Sequence, residues 1–247
     1  MKKRENTTKA YLLDASKIHD PKKFTSWKPF LPKERWEKTV RPLREEDRKT
    51  ELAAWCLLYY ALKKWGIPKE QINADGAYYF GEHGKPMRKD RKVWFNLSHS
   101  GNYILCVVSH SEIGCDIEEI KDVKWKLAGR YFSEKEYDFL EKMSGGGANL
   151  AYEKGAAEEL FTRFWVLRES YVKKTGEGLG TSLEGLDFSE RSVLKENGRG
   201  KKGEEFLKES FFEMEYDGYR IAICENQKTE PEVTVLTVDR VMDFLHA

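Results

Sequence analysis

The stretch Phe95–Ile120, FNLSHSGNYILCVVSHSEIGCDIEEI, joins a polar Ser98-His99-Ser100 triplet to a carboxylate pair through one run of strand-like sequence. Ile104–Val108 is short, apolar and rich in branched residues, the composition of a buried strand. Such a strand needs a partner, and Ile113–Glu118 is read as supplying it. Period-two alternation sends Ile113, Cys115 and Ile117 to one face and Gly114, Asp116 and Glu118 to the other. Two carboxylates then project together beside a glycine. Asp and Glu are poor strand formers and like charges repel, so the arrangement is costly unless something positive neutralises it. A hard divalent cation would do so.

Composition bounds what surrounds this stretch. A chain of 247 residues, 40% hydrophobic and 13% aromatic, can bury a sizeable core as one domain or two. Lys and Arg number 43 and Asp and Glu 42; a net charge of +1 gives no global pull toward nucleic acid or a membrane surface. Cys56, Cys106, Cys115 and Cys224 lie in apolar runs without CxxC or Cys/His spacing, which predicts reduced core thiols and a cytoplasmic protein. The opening MKKRENTTKAYLL lacks an apolar core of signal-peptide length, and no run approaches a membrane span, so neither export nor insertion is expected.

Along the chain, Tyr11–Asp14 reads as a strand and Glu45–Trp65 as a helix, with Leu52, Trp55, Leu58, Tyr59 and Leu62 at helical spacing. Tyr78–Phe80 reads as a strand before a turn, Gly81–Pro86. Helices are expected at Ser133–Met143 and Glu158–Thr175, flanking a Gly-rich insert that begins at Ser144. Strands are expected at 211–216, 219–224 and 233–238, after a flexible stretch around 197–203. Two patterns recur in order: Trp55, Lys63, Lys64 and Gly66 match Trp165, Lys173, Lys174 and Gly176, and Gly101–Val107 matches Gly218–Cys224. They support duplication of one α+β unit. The expected fold is therefore α+β, two pseudo-symmetric halves at 1–111 and 112–247, each a small antiparallel sheet packed with a long helix. A ligand site between such halves is expected.

Several residues could carry chemistry. On the second long helix, Phe161, Trp165, Arg168 and Val172 share a stripe, with Glu169 at its edge and Lys173 one turn beyond. One reading is an i,i+4 salt bridge on a solvated face; the other makes Glu169 a third ligand to a cation held by Asp116 and Glu118, with Lys173 facing a phosphate. Mg²⁺ takes few carboxylates and completes its shell with water and phosphate oxygens. Ser98-His99-Ser100 is no nucleophile elbow, for no G-x-S-x-G surrounds it; it either satisfies a strand end or binds phosphate. Lys85, in Gly84-Lys85-Pro86, is an ordinary turn lysine by itself. Lys33, Arg35, Lys38, Arg41 and Arg44 form either a solvated face or a phosphate cradle.

GKP, FNLSHS, IGCDIEE, RYFSEKE and WVLRESYVKKTGEGL, in this order, resemble the 4′-phosphopantetheinyl transferases, in particular the larger, internally duplicated type that activates nonribosomal peptide and polyketide synthases. The resemblance runs from about Lys33 to Gly180. It implies transfer of 4′-phosphopantetheine from coenzyme A to a serine of an apo peptidyl, aryl or acyl carrier protein, releasing adenosine 3′,5′-bisphosphate. It further implies Mg²⁺ or Mn²⁺ at Asp116, Glu118 and Glu169, with Glu169 as base for the carrier serine and Lys173 neutralising the diphosphate. Coenzyme A would be contacted by Arg35, Lys38, Gly84, Lys85, Pro86, Ser98 and His99. A monomer is implied, with no nucleic-acid or membrane partner. Alternatives are a noncatalytic relative that binds coenzyme A or a carrier, and a metal-dependent diphosphate hydrolase. Two departures stand out: Arg168 occupies a position where the family usually has Lys, and the insert at 144–157 falls at a variable loop near carrier recognition.

Overall fold

The computed structural model describes residues 8–18, 21–39, 44–146, 155–179, 183, 186–189, 201–202, 205–206, 208–226 and 230–247. The chain divides into two compact units, one of residues 1–111 with 229–247 and one of residues 112–228.

In the first unit the strands are β1 (Lys9–Asp14), β2 (Tyr78–Phe80), β3 (Pro86–Arg88), β4 (Trp94–Ser100) and β5 (Tyr103–Ser109). Its helices are α1 (Lys33–Thr39), α2 (Glu45–Trp65) and the single turn α3 (Lys69–Ile72). All seven residues of β5 are buried, as the apolar run predicts, because β5 lies between β1 and β4 and beneath α2. The apolar stripe of α2 supplies Leu57, Leu58 and Leu62 to the core, against Leu13, Ile104 and Cys106 of the sheet.

This arrangement corrects two expectations. Ile113–Glu118 is not the partner of the Ile104–Val108 run: β5 pairs antiparallel with β1 and with β4, so both of its edges are taken. Likewise the C-terminal residues 229–247 join the first unit, not the half that precedes them. Strand β12 (Glu232–Thr237) pairs parallel to β1, with Leu12 opposite Val235, and helix α7 (Val238–His246) follows it. Leu236, Val241 and Leu245 are then buried in the first unit's core. The parallel edge strand makes this sheet mixed in an otherwise antiparallel architecture.

The second unit holds β6 (Ile113–Glu119), α4 (Trp125–Tyr131), α5 (Glu134–Glu141), α6 (Ala156–Thr175), the two-residue strands β7 (Leu186–Asp187), β8 (Lys201–Lys202) and β9 (Glu205–Phe206), then β10 (Ser210–Tyr216) and β11 (Tyr219–Glu225). The sheet β10-β11-β6 is antiparallel, with Asp116 opposite Ala222 and Glu118 opposite Arg220. Helix α6 lies across β6 and β11. Apolar side chains Phe161 and Trp165 of α6 pack with Ala128 of α4 and Leu140 of α5. The α+β class is as the sequence indicates. All four cysteines are free and buried, the core thiols expected. Among the described residues, no helix is long and apolar enough to cross a membrane.

Candidate active site

The carboxylates of β6 meet α6 at an unusually close crossing. A Cβ on Gly114 would stand 2.0 Å from the Ser170 carbonyl oxygen and 2.3 Å from the Lys174 amide nitrogen. Only glycine lets strand backbone touch helix backbone in this way. Gly114, Asp116 and Glu118 alternate along the strand, so the face touching α6 also carries both carboxylates. Asp116 is 2% exposed, while Glu118 is half-buried.

From α6, Lys173 donates from Nζ to Asp116 Oδ1 at 2.6 Å. Burial works against the ammonium charge, but the carboxylate of Asp116, its hydrogen bond, and Glu169 outweigh that and raise the Lys173 pKa. The lysine is therefore a fixed cation. Burial first, then the negative charges of Asp116 and Glu118, raise the Glu169 carboxyl to about 7, against the opposing pull of Lys173. The structure thus brings Asp116, Glu118, Glu169 and Lys173 into one electrostatic cluster in the second unit. The alternative of a solvated Glu169–Lys173 pair is not what forms, for Lys173 reaches across to the strand. Among the described residues, no group of three or more His, Cys, Asp or Glu side chains is drawn together as a metal cage. Asp116, Glu118 and Glu169 are the carboxylates that could share a cation, in twos or with added oxygen ligands.

Arg168, next to Glu169, is engaged inside the second unit. It is fully buried, and its Nη2 pairs with the equally buried Glu136 of α5. Its Nε donates to the Tyr131 carbonyl at 2.9 Å, Nη2 to the Leu186 carbonyl at 3.0 Å and Nη1 to the Phe164 carbonyl at 3.2 Å. The guanidinium lies 4.6 Å from the Phe132 ring centre and 5.2 Å from that of Phe188.

The remaining sequence-derived residues belong to the first unit. Ser98 and His99 are consecutive on β4, so they point to opposite faces; Ser98 is buried and His99 exposed. Gly84 and Lys85 lie in the β2–β3 turn, closed by a bond from the Gly84 amide to the Gly81 carbonyl at 2.8 Å, and Pro86 opens β3 opposite Phe80. Gly84 has φ +80° and open space about it, so conformation is what calls for glycine there. Arg35 on α1 is already engaged, 3.2 Å from Glu51 and stacked 4.0 Å from the Phe80 ring centre. Lys38 and Lys33 on the same helix are exposed, and Arg44 pairs with Asp47 at 3.1 Å. Arg41 and residues 147–154 of the insert lie outside the described residues. Sequence reasoning missed Arg220 as a neighbour of the cluster. It stands opposite Glu118 on β11 and pairs with Glu159 at the start of α6 and with Glu215. Only the strand register reveals it.

Comparison with known proteins supplies the family. A family model of the 4′-phosphopantetheinyl transferase superfamily matches residues 112–224, which span the whole cluster. The 4′-phosphopantetheinyl transferase Sfp of Bacillus subtilis (strain 168) is 28% identical over 219 residues, covering 86% of this chain and 90% of the relative. Another 4′-phosphopantetheinyl transferase of Bacillus subtilis is 31% identical over 195 residues, covering 77% and 80%. The 4′-phosphopantetheinyl transferase gsp of Aneurinibacillus migulanus is 26% identical over 218 residues, covering 87% and 85%. Likeness at this level, sustained over most of both chains, shows that the protein belongs to the 4′-phosphopantetheinyl transferases.

Proposed function

We propose that this transferase draws 4′-phosphopantetheine from coenzyme A and attaches it to a serine hydroxyl of an apo carrier protein, with Glu169 and Lys173 as its catalytic residues. The observation that carries the reading is the cluster of Asp116, Glu118, Glu169 and Lys173 where β6 crosses α6.

In the reaction the serine Oγ forms a bond to the phosphorus that bears pantetheine. The bond from that phosphorus to the bridging oxygen breaks, and adenosine 3′,5′-bisphosphate leaves with the electron pair. The serine proton passes to Glu169. A carboxyl raised to about 7 suits that task, since it is a stronger base than an ordinary carboxylate yet still deprotonates near neutrality. Lys173, held protonated, offers positive charge to the diphosphate oxygens. No protein nucleophile is needed, which leaves Ser98 free of that role.

Asp116, Glu118 and Glu169 would hold Mg²⁺ or Mn²⁺. Their oxygen donors and mutual repulsion fit a hard cation, and Mg²⁺ needs only one or two carboxylates when phosphate and water complete its shell. When bound, the cation neutralises diphosphate charge. Coenzyme A contacts are assigned to Gly84, Lys85, Pro86, Ser98, His99, Lys38 and Arg35; for Arg35 this requires exchange of its Glu51 partner. The carriers would be peptidyl, aryl or acyl carrier domains of synthases.

The test incubates the protein with coenzyme A, Mg²⁺ and each class of apo carrier. A carrier mass gain of about 340 Da, the formula mass of the transferred group, is the expected result of such covalent modification. No gain on any class overturns the proposal, and adenosine bisphosphate released without a carrier would point to hydrolysis.

A further inference from the structure

We propose that the buried Arg168–Glu136 pair is a positioning device, setting the rotation and height of α6 so that Glu169 and Lys173 face Asp116 and Glu118. The inference rests on the transferase reading for its kinetic consequence, but its structural content stands apart from it.

Arg168 and Glu169 are neighbours on α6, about 100° apart around the helix axis. Whatever fixes the direction of Arg168 therefore fixes that of Glu169, and of Lys173 one turn on. Arg168 is fixed with little freedom. Its Nε and Nη2 serve acceptors outside the helix, the Tyr131 and Leu186 carbonyls and Glu136, while Nη1 donates to the Phe164 carbonyl one turn back on α6 itself. Glu136 is held just as fully. Its Oε2 accepts from the Ser133 amide at 2.8 Å, in the capping box that opens α5, and its Oε1 accepts from the Phe188 amide at 2.8 Å. A slide or rotation of α6 would strip partners from several groups buried away from water, each at the full cost of desolvation. The opposite side of the helix is gripped at Gly114, where strand and helix backbones touch. The two grips lie on either side of the turn that carries Glu169.

The residue type follows from the geometry. A planar guanidinium presents donors in several directions at once, whereas one ammonium cannot reach all four acceptors. A pair wanted only for stability would be a poor choice, because apolar replacement of both partners of a buried ion pair is often neutral or better. What the pair supplies is a single allowed placement of the helix.

The experiment compares wild type with Arg168→Met, Arg168→Lys and the double variant Arg168→Met/Glu136→Leu, all checked for folding by circular dichroism. In Arg168→Met, kcat should fall about 100-fold, as for a misplacement of about 1 Å, while KM for coenzyme A changes less than about threefold. Arg168→Lys should recover about tenfold of that loss by keeping the charge opposite Glu136. Amide exchange should rise in the 169–173 turn with the β10–β11 ladder unchanged. The double variant, which buries no lone charge, should fold and keep the low kcat. Wild-type kcat in folded Arg168→Met or in the folded double variant overturns the proposal, as does exchange that rises uniformly. Unfolding of both Arg168→Met and the double variant overturns it too, since the pair would then serve the fold as a whole. If the wild type modifies no carrier, the function reading fails, and the local exchange arm alone decides this inference.

Discussion

At the scale of single residues, the cluster on β6 and α6 ties electrostatics to proton transfer. Lys173→Ala should lower turnover by about 10²–10³-fold, the cost of removing one fixed charge from a charge-stabilising site, while coenzyme A binding measured by calorimetry changes little. Asp116→Ala should cost at least as much, since it removes both a candidate cation ligand and the partner of Lys173. Retention of wild-type turnover in Asp116→Ala would remove that residue from the site. The raised Glu169 has a consequence for stability without metal. Its folded pKa of about 7 lies above the unfolded value of 4.5, so the folded form holds an extra proton between them. That contribution is fully present below pH 4.5 and is lost as pH rises through about 7. Discounted for partial exposure, it is on the order of 1–2 kcal/mol. Thermal melts at pH 5 and pH 8 should therefore show a larger loss for wild type than for Glu169→Gln; equal losses would sink the idea. These four residues were legible in the sequence because period two places Asp116 and Glu118 on one face and helical spacing joins Glu169 to Lys173. The role of Arg168 was not legible, because its acceptors, the Tyr131 and Leu186 carbonyls and Glu136, are brought near only by tertiary packing.

At the scale of elements, the decisive contact is the crossing of β6 and α6. Gly114→Ala places a methyl group 2.0 Å from the Ser170 carbonyl, where neither backbone can yield without breaking the helix or the ladder. The expected loss is about 2–4 kcal/mol, at the upper end for overpacking, together with loss of transfer. Gly84→Ala is the useful contrast. Nothing lies within 4 Å of its Cβ, so only the positive φ is charged against it, about 1 kcal/mol. Chemical denaturation of the two variants checks the ordering, and a Gly114→Ala protein as stable as Gly84→Ala would contradict the crossing. Element identities and ends were largely readable: α2 spans Glu45–Trp65 as its stripe predicts, and α5, Glu134–Glu141, falls within the expected Ser133–Met143 with Ser133 as its cap. Pairing was not. The sequence between Ser109 and Ile113 has the length of a hairpin loop, yet the chain leaves one sheet there and enters another, because β5 already has two neighbours.

At the scale of the whole molecule, the route of the chain governs which pieces can fold alone. The second unit is one continuous segment, 112–228, and its first and last strands are paired neighbours, with Ile113 opposite Glu225. The first unit is discontinuous and completes its sheet with β12 and its core with α7. Periodicity could identify β12 as a strand, but its partner β1 lies more than two hundred residues earlier, beyond the reach of any local pattern. Leu236, Val241 and Leu245 are nearly all inside, and burying each side chain contributes about 1.5–3 kcal/mol, so their loss removes roughly 5–9 kcal/mol. That is comparable to the whole stability of a typical domain, about 5–15 kcal/mol. Removal of residues 230–247 also strips β1 of its parallel neighbour and leaves a buried strand with an open edge. A chain ending at residue 229 should therefore lose the cooperative melting of its first unit, while amide protection along β6, β10 and β11 persists. Segment 112–228 expressed alone should show that same protection, and segment 1–111 alone should not fold. A folded, cooperatively melting 1–111 fragment would show that the returning strand and helix are accessories to the first unit and not part of its core.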